Sequence, residues 1–120
     1  MARILIIDDD AVARLLAGKA LEHDGHEVSY AADGEAGLAL YSHRPHALVI
    51  VDMLMPVKGG LRTIKELKEM DPDVRIIAVT GASPADLDLA EGYGALQVLL
   101  KPIEPRKLTA LVAAMLDASR

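Results

Sequence analysis

Acidic side chains directly follow two apolar segments of the chain. Three consecutive aspartates, Asp8 to Asp10, come after residues 3–7, and Asp52 comes after residues 47–51. Carboxylates held close together repel one another, and a hard divalent cation such as Mg²⁺ relieves that repulsion. A carboxylate is also a nucleophile toward phosphorus, giving an aspartyl phosphate. The pattern favours metal-dependent phosphoryl chemistry over the alternative that these aspartates only cap helices and turns.

Two further apolar segments end in a hydroxyl and an ammonium group. Residues 75–79 are followed by Thr80, and residues 97–100 by Lys101. Short β-branched segments that alternate with helical stretches predict a parallel sheet, and the carboxyl ends of parallel strands share one edge. Lys101 would supply a compact positive charge to phosphoryl oxygens, and Thr80 a hydroxyl donor. The sequence therefore predicts a site for a divalent metal and a phosphoryl group at that edge.

The elements that must position these residues are five predicted strands, each followed by a predicted helix. Right-handed crossovers place helices on both faces of such a sheet. We predict a three-layer α/β/α sandwich with a five-stranded parallel sheet in the flavodoxin-like order 2-1-3-4-5. In that order strands one and three are neighbours, so Asp8, Asp9 and Asp52 converge.

Capping residues and apolar spacing predict the helix ends and the inward helix faces. Asp10 and Asp33 are predicted to cap the first two helices, Gly25 to end the first, and Ser83 to cap the fourth. The apolar positions of the first helix include Val12, Leu15, Leu16 and Ala20, and in the second helix Ala36, Ala39 and Leu40 are predicted to face inward. In the last helix, opened by Pro105, the residues at helical spacing are Leu108, Leu111, Val112, Met115 and Leu116.

Composition limits the classes of protein that this chain can be. With 120 residues, 52% of them hydrophobic and none of them Phe or Trp, one domain with an aliphatic core is expected. The absence of Cys excludes disulfides, and a net charge of −5 without a basic run argues against direct binding to nucleic acid. No apolar stretch is long enough for a membrane span, and the first strand leaves no room for a signal peptide. We therefore expect a cytoplasmic protein.

Four histidines precede the second and third strands, at the edge of the sheet opposite the aspartates. They are His23, His26, His43 and His46. Two such pairs could in principle hold Zn²⁺, but they lie on separate loops and no Cys accompanies them. The sequence favours solvated surface histidines.

Four segments carry an ordered set of motifs. They are Ile4-Leu-Ile-Ile-Asp8-Asp9-Asp10, Leu48-Val-Ile-Val-Asp52-Met-Leu-Met55-Pro56 followed by Gly60, Val79-Thr80-Gly81-Ala82, and Gly94-Ala95 followed by Lys101-Pro102. In this order and spacing they resemble the receiver domain of two-component response regulators, including the single-domain chemotaxis type. The resemblance covers essentially the whole chain.

The resemblance implies a phosphoacceptor and a metal site. Asp52 would be the phosphoacceptor. Asp9 and Asp52 would bind Mg²⁺ directly, and Asp8 would act through a water molecule. The backbone carbonyl of Leu54 would be a further ligand.

The resemblance also implies how the phosphoryl group is held and where it comes from. Lys101 would pair with it, Thr80 with the adjoining Gly81 would bind it, and Pro102 beside the lysine is a candidate for a cis peptide bond. The donor would be a phosphohistidine on a sensor histidine kinase or a histidine phosphotransfer protein, with acetyl phosphate as a substitute. The chain would catalyse its own phosphorylation and dephosphorylation without being a metabolic enzyme.

The product would be a conformational signal. Capture of the Thr80 hydroxyl would bias the face made by helix four, strand five and helix five. That face would bind a downstream protein target or an output domain, and it could also support a dimer. We expect residues 1–120 to form the receiver domain, with no output domain among them.

Departures from the family pattern affect the switch and the loop before the third helix. Val98 stands three residues before Lys101, where the family usually has an aromatic or histidine ring. We predict that coupling through such a ring is absent or replaced, with Tyr93 as the candidate substitute. Lys58-Gly59-Gly60 stands where the family more often has an acid before its glycine, and the two glycines predict a pliable loop before the third helix.

Other functions fit fewer of the residues. Asp8 to Asp10 contain the Asp-x-Asp spacing of haloacid-dehalogenase-like phosphatases, but that reading leaves Asp52 unexplained and lacks the superfamily's acidic pair beyond the lysine. A receiver-like adaptor that works without phosphate is favoured by Val98 alone. A Rossmann nucleotide site is not supported, because the glycines near residue 92 lack the third member of the motif.

Overall fold

The computed structural model describes residues 2–53, 59–81 and 84–117. Its strands are β1 (Arg3–Ile7), β2 (Glu27–Ala31), β3 (Leu48–Asp52), β4 (Ile76–Thr80) and β5 (Gln97–Leu100). Its helices are α1 (Ala11–His23), α2 (Gly34–His43), α3 (Gly60–Met70), α4 (Pro84–Tyr93) and α5 (Pro105–Asp117). None of the helices in the described part of the chain has the length and apolarity needed to cross a bilayer.

The five strands form one parallel sheet in the order β2-β1-β3-β4-β5. The predicted fold and strand order are therefore confirmed. Ile7 pairs with Val51 across β1 and β3, and Thr80 pairs with Leu100 across β4 and β5. This register brings the carboxyl ends of these four strands to the same edge of the sheet. The residues predicted to form the site therefore lie at one edge.

Two aliphatic cores cover the two faces of the sheet. The first packs α2, α3 and α4 on one face through side chains that include Tyr41, Ile64, Leu67 and Ala90. The second packs α1 and α5 on the other face through Ala17, Leu21, Leu108 and Val112. Strands β3 and β4 are buried along their whole length because helices cover both sides, which explains their continuous apolar sequences.

Most apolar positions singled out in α1 do not face the core. Val12 and Leu16 are 67% and 61% exposed, and the buried residues are Ala17, Gly18 and Leu21. Helix α1 lies so close to β2 that a Cβ on Gly18 would stand 2.1 Å from the Tyr30 hydroxyl. Close approach places the small residues Ala17 and Gly18 against the sheet beside Leu21. Apolar spacing alone indicates a neighbouring stripe, in which Leu15 is also exposed and Ala20 half-buried.

The inward face of α2 is wrong for the same reason. Gly34, Gly37 and Tyr41 are buried there. A Cβ on Gly37 would lie 2.3 Å from Cδ1 of Ile7, so the glycine lets the helix rest on β1. The residues predicted to face inward are exposed, namely Ala36, Ala39 and Leu40.

The helix ends agree better with prediction. The carboxylate of Asp10 accepts hydrogen bonds from the backbone N–H groups of Val12 and Ala13, and Asp33 accepts one from Ala36. Gly25 follows α1 with a φ of 92°, the left-handed conformation that ends helices. The apolar stripe of α5 is confirmed, since all of its predicted members pack against the second core. Ser83, the predicted cap of α4, lies outside the described residues.

Candidate functional site

Three carboxylates meet at the carboxyl edge of the central strands. Asp8 and Asp9 follow β1, Asp52 ends β3, and these strands are direct neighbours in the sheet. Carboxylate oxygens of the three residues lie within 4.8 Å of one another. Asp8 is 5% and Asp52 2% exposed, whereas Asp9 is open to solvent. Among the side chains that the structure describes, this is the one group of three or more that could hold a metal ion.

Lys101 brings a positive charge into this cluster. Its Nζ lies 3.2 Å from Oδ2 of Asp52 and 3.7 Å from Oδ2 of Asp8. Partial burial acts to lower the pKa of the Lys101 ammonium, but the charges of Asp52 and Asp8 outweigh that effect, so its pKa is raised above the ordinary value. The lysine is therefore a fixed cation beside the buried Asp52 carboxylate.

The turn between β1 and α1 is held by its own hydrogen bonds. The backbone N–H of Asp10 donates to Oδ1 of Asp8 at 2.9 Å, and Nη1 of Arg14 donates to the Asp8 carbonyl at 2.6 Å. Asp10 also caps α1, and Arg14 belongs to that helix, so both ends of the Asp8-to-Asp10 segment are bonded to α1. The position of the acidic cluster is thus tied to the start of α1.

The ends of β4 and β5 lie at the same edge of the sheet and complete the candidate site. Thr80 is fully buried, and its carbonyl accepts a hydrogen bond of 2.8 Å from the backbone N–H of Lys101. A Cβ on Gly81 would stand 3.6 Å from Cβ of Lys101, which places the glycine next to the lysine. The peptide bond between Lys101 and Pro102 is cis. The structure thus brings together the predicted acidic, hydroxyl and ammonium residues that it describes, whereas Leu54 and Ala82 lie outside the described residues.

The comparisons with known proteins agree on one family. A family model for the response regulator receiver domain matches residues 4–113. The chain belongs to this family. Phosphorylation-driven signalling in two-component systems is the function of the family, which is not a family of metabolic enzymes, so the predicted family and general function are confirmed. The phosphatase alternative is therefore dropped.

Individual relatives show how far the similarity extends. The response regulator receiver protein CpdR of Brucella abortus is 31% identical, and the match covers 99% of this chain and 100% of CpdR. The transcriptional regulatory protein CpxR of Klebsiella pneumoniae is 35% identical over 99% of this chain, which spans only 51% of CpxR. A CheY-like receiver domain structure from Methanospirillum hungatei has a TM-score of 0.93 at 31% identity, covering 98% of this chain and 95% of that one.

This receiver has no ring at the position where Val98 stands. Val98 is half-buried, pairs with Ala78 of β4 and packs against the first core. The Tyr93 side chain, at the end of α4, is 43% exposed. The structure therefore provides no buried ring at Tyr93.

The histidine prediction is wrong for one residue. His46 is only 5% exposed, and its ring stacks on Tyr41 with centroids 6.1 Å apart. Nδ1 of His26 accepts a hydrogen bond from the Ala2 backbone, while His23 and His43 are exposed as predicted. The sequence signal for His46 is its position directly before the continuous apolar residues 47–51, which predict a buried strand.

Proposed function

We propose that this receiver accepts a phosphoryl group on Asp52 from the phosphohistidine of a sensor kinase or a histidine phosphotransfer protein, in the cytoplasm. One observation carries the proposal: a buried carboxylate lies 3.2 Å from a lysine ammonium and within 4.8 Å of two further carboxylates. A structural ion pair needs one acid and one base, whereas this cluster holds three acids and a single base. The excess negative charge suits a site that binds a cation.

The donor set of the cluster fits Mg²⁺. The metal prefers a few carboxylates together with water and phosphate oxygens. Asp9 and Asp52 would bind it directly and Asp8 through water, and the Leu54 carbonyl is proposed as a further ligand. When bound, Mg²⁺ neutralises charge on the phosphoryl group and on the carboxylates around it.

Asp52 and Lys101 have different roles in the proposed phosphoryl transfer. A carboxylate oxygen of Asp52 bonds to phosphorus as the phosphorus–nitrogen bond of the phosphohistidine breaks, and the imidazole leaves with the electron pair. Lys101 balances charge on the transferred group throughout. Attack of water on phosphorus would later regenerate Asp52 and release phosphate.

Thr80 and its surroundings support the proposed switch. Its buried hydroxyl, with Gly81 beside it, would hydrogen-bond the phosphoryl group and draw the end of β4 inward. Apolar side chains are exposed on α4, on β5 and between them, with Leu89, Leu96 and Leu100 between 45% and 57% exposed. We propose that this face contacts the downstream target, an output domain or a second copy, and that residues 1–120 form the receiver alone.

The test is phosphorylation of the isolated protein by a small donor. We expect intact-mass measurement after incubation with Mg²⁺ and acetyl phosphate to show one phosphoryl adduct on the wild type. The adduct should be absent in Asp52→Asn and absent when EDTA removes the metal. A wild type that takes up no phosphoryl group under these conditions would favour the phosphate-independent adaptor instead.

An apolar groove beside Lys101 supports a protein as the natural donor. It has a volume of about 510 Å³ and lies between the start of α1 and the segment that joins β5 to α5. Val12, Leu16, Pro102 and Ile103 are among its lining residues. A donor protein that presents a phosphohistidine to Asp52 would contact this groove.

Leu16→Ala separates the two kinds of donor. We expect a fall of about tenfold in kcat/KM for a phosphorylated histidine phosphotransfer protein, because the contact with the partner is lost. The rate with acetyl phosphate should be unchanged. Leu40→Ala, an equal truncation on the exposed side of α2, is the matched control. Equal losses with both donors would mean that Leu16 acts through the site and not through docking.

A further inference from the structure

His46 occupies a buried position at the edge of the sheet opposite the aspartates. Its Nε2 lies 3.0 Å from Oγ of Ser29 on β2 and 3.4 Å from Nη2 of Arg3 on β1. Arg3 is itself anchored, since its Nη1 donates to the carbonyl of Pro45 at 3.0 Å. The ring therefore connects the loop before β3 to the first two strands of the sheet.

The neighbours of the ring define which nitrogen carries the proton. A guanidinium has donors only, so the contact with Arg3 is a hydrogen bond only when Nε2 of His46 is unprotonated. The Ser29 hydroxyl can donate to the same nitrogen. The proton of neutral His46 is then on Nδ1, which is buried and has no hydrogen-bond partner among the described residues.

A second proton would be costly at this position. It would place an N–H at Nε2 facing the Arg3 cation, and it would put a charged ring beside Tyr41 in the core. The Tyr41 phenol offers no compensation: its hydroxyl donates to Asp71 at 2.7 Å, and burial, followed by the interaction with Asp71, raises its pKa.

The other charged groups around the ring act in both directions. Arg44, exposed on the preceding loop, adds positive charge, and Glu27 on β2 opposes it while pairing with Nε of Arg3 at 3.4 Å. Arg75 lies near enough to act on Tyr41. Burial first, and then the positive charge of Arg3, lower the pKa of His46 below its ordinary value, and Glu27 only partly offsets them.

We propose that His46 is a pH-sensitive latch, whose neutral ring holds the starts of β1 and β3 together and whose protonation releases them. The first backbone bond between these two strands adjoins the ring, because the N–H of Ala47 donates to the Arg3 carbonyl at 2.8 Å. Release of Arg3 from the protonated ring loosens that bond. The opposite ends of the same strands carry the aspartates of the acidic cluster.

The ring itself is the first thing to measure, because it needs no variant. Long-range ¹H–¹⁵N spectra of the wild type should show His46 with its proton on Nδ1. Its titration midpoint should lie below the ordinary value of 6.5. A proton on Nε2 at neutral pH, or a midpoint at 6.5 or above, would overturn the latch.

Stability against pH tests the consequence. A histidine whose pKa is lower in the folded than in the unfolded protein does not affect stability while the pH is above the unfolded pKa. As the pH falls below the unfolded pKa, the unfolded protein takes up the proton first and stability decreases. The folding equilibrium constant, from urea unfolding followed by circular dichroism, should therefore fall by up to about tenfold per pH unit below pH 6.5 through His46. His46→Gln should lose this slope, whatever its stability at neutral pH, and His43→Gln should keep it. Equal slopes in wild type and His46→Gln would refute the proposal.

Hydrogen exchange locates the opening. On acidification from pH 7.5 to about 5.5, the Ala47 amide should lose protection relative to its intrinsic exchange rate, by up to about tenfold per pH unit. The Met53 amide, which donates 2.8 Å to the Val79 carbonyl at the other end of β3, is the internal control. Because global stability also falls through His46, Met53 reports that global loss, and Ala47 should remain less protected than Met53 at about pH 5.5. Equal protection factors at the two amides would show general unfolding and contradict a local latch.

Discussion

Replacing Lys101 by Met should lower the free energy of unfolding of the metal-free protein by about 3 kcal/mol, because it leaves buried carboxylates without their cation. The Lys101 side chain is 30% exposed, and those of its partners Asp8 and Asp52 are 6% and 2% exposed. Added Mg²⁺ should return much of the loss, since a bound cation replaces the missing positive charge and stabilises the folded state by mass action. Urea unfolding in EDTA and in Mg²⁺ measures both effects.

Lys107→Met is the matched control for this change in charge. Lys107 pairs with Glu104 at 3.7 Å, but its side chain is 71% exposed, so its ion pair contributes little. Its loss should cost less than about 0.5 kcal/mol and should not respond to Mg²⁺. Equal costs for the two variants, or no recovery of Lys101→Met with Mg²⁺, would contradict a role for Lys101 as the counter-charge of the cluster.

Activity separates the charge of Lys101 from its geometry. Removal of a positioned cation at a developing charge typically costs about a hundredfold or more in rate, so Lys101→Met should slow phosphorylation by acetyl phosphate to that extent. Lys101→Arg should keep the stability but only part of the rate, because the larger planar guanidinium places its charge differently. An Arg variant with full activity would show that charge alone is sufficient.

The sequence was most informative about the residues that end strands. Asp8, Asp52, Thr80 and Lys101 could be assigned to one edge because every parallel strand ends at that edge, whatever the details of packing. Strand order followed from the small number of allowed connections. Neither inference depends on side-chain shape, which explains why both agree with the structure.

The inward faces of α1 and α2 could not be predicted in the same way. They depend on how closely a helix approaches the sheet, and Gly18 and Gly37 allow an approach that apolar spacing does not encode. His46 was missed because its burial depends on Arg3 and Ser29, which are distant in sequence. Contacts between distant residues decide these positions, and the apolar segment after His46 does not by itself show that the ring is buried.

Gly60, next to the site, is another residue whose packing the sequence did not predict. Its replacement is the second change for which we expect a large effect. The paired glycines predicted a pliable loop, but Gly60 is buried, begins α3 and packs against the end of β3. A Cβ on Gly60 would stand 2.4 Å from the carbonyl oxygen of Asp52 and 2.4 Å from Cα of Met53. Both are backbone atoms, so no change of side-chain rotamer relieves the clash.

We therefore expect Gly60→Ala to destabilise the protein by about 3 kcal/mol. It should also slow phosphorylation of the folded fraction, because α3 must push on the peptide that carries the acceptor Asp52. Gly59→Ala is the matched control, since no atom of the described residues lies within 4 Å of its added Cβ and its φ of −56° suits alanine. That variant should stay within about 0.5 kcal/mol of the wild type, with its phosphorylation rate unchanged. Urea unfolding and phosphoryl uptake should be measured on both variants. Similar effects at the two positions would mean that Gly60 provides loop flexibility instead of close packing beneath the acceptor.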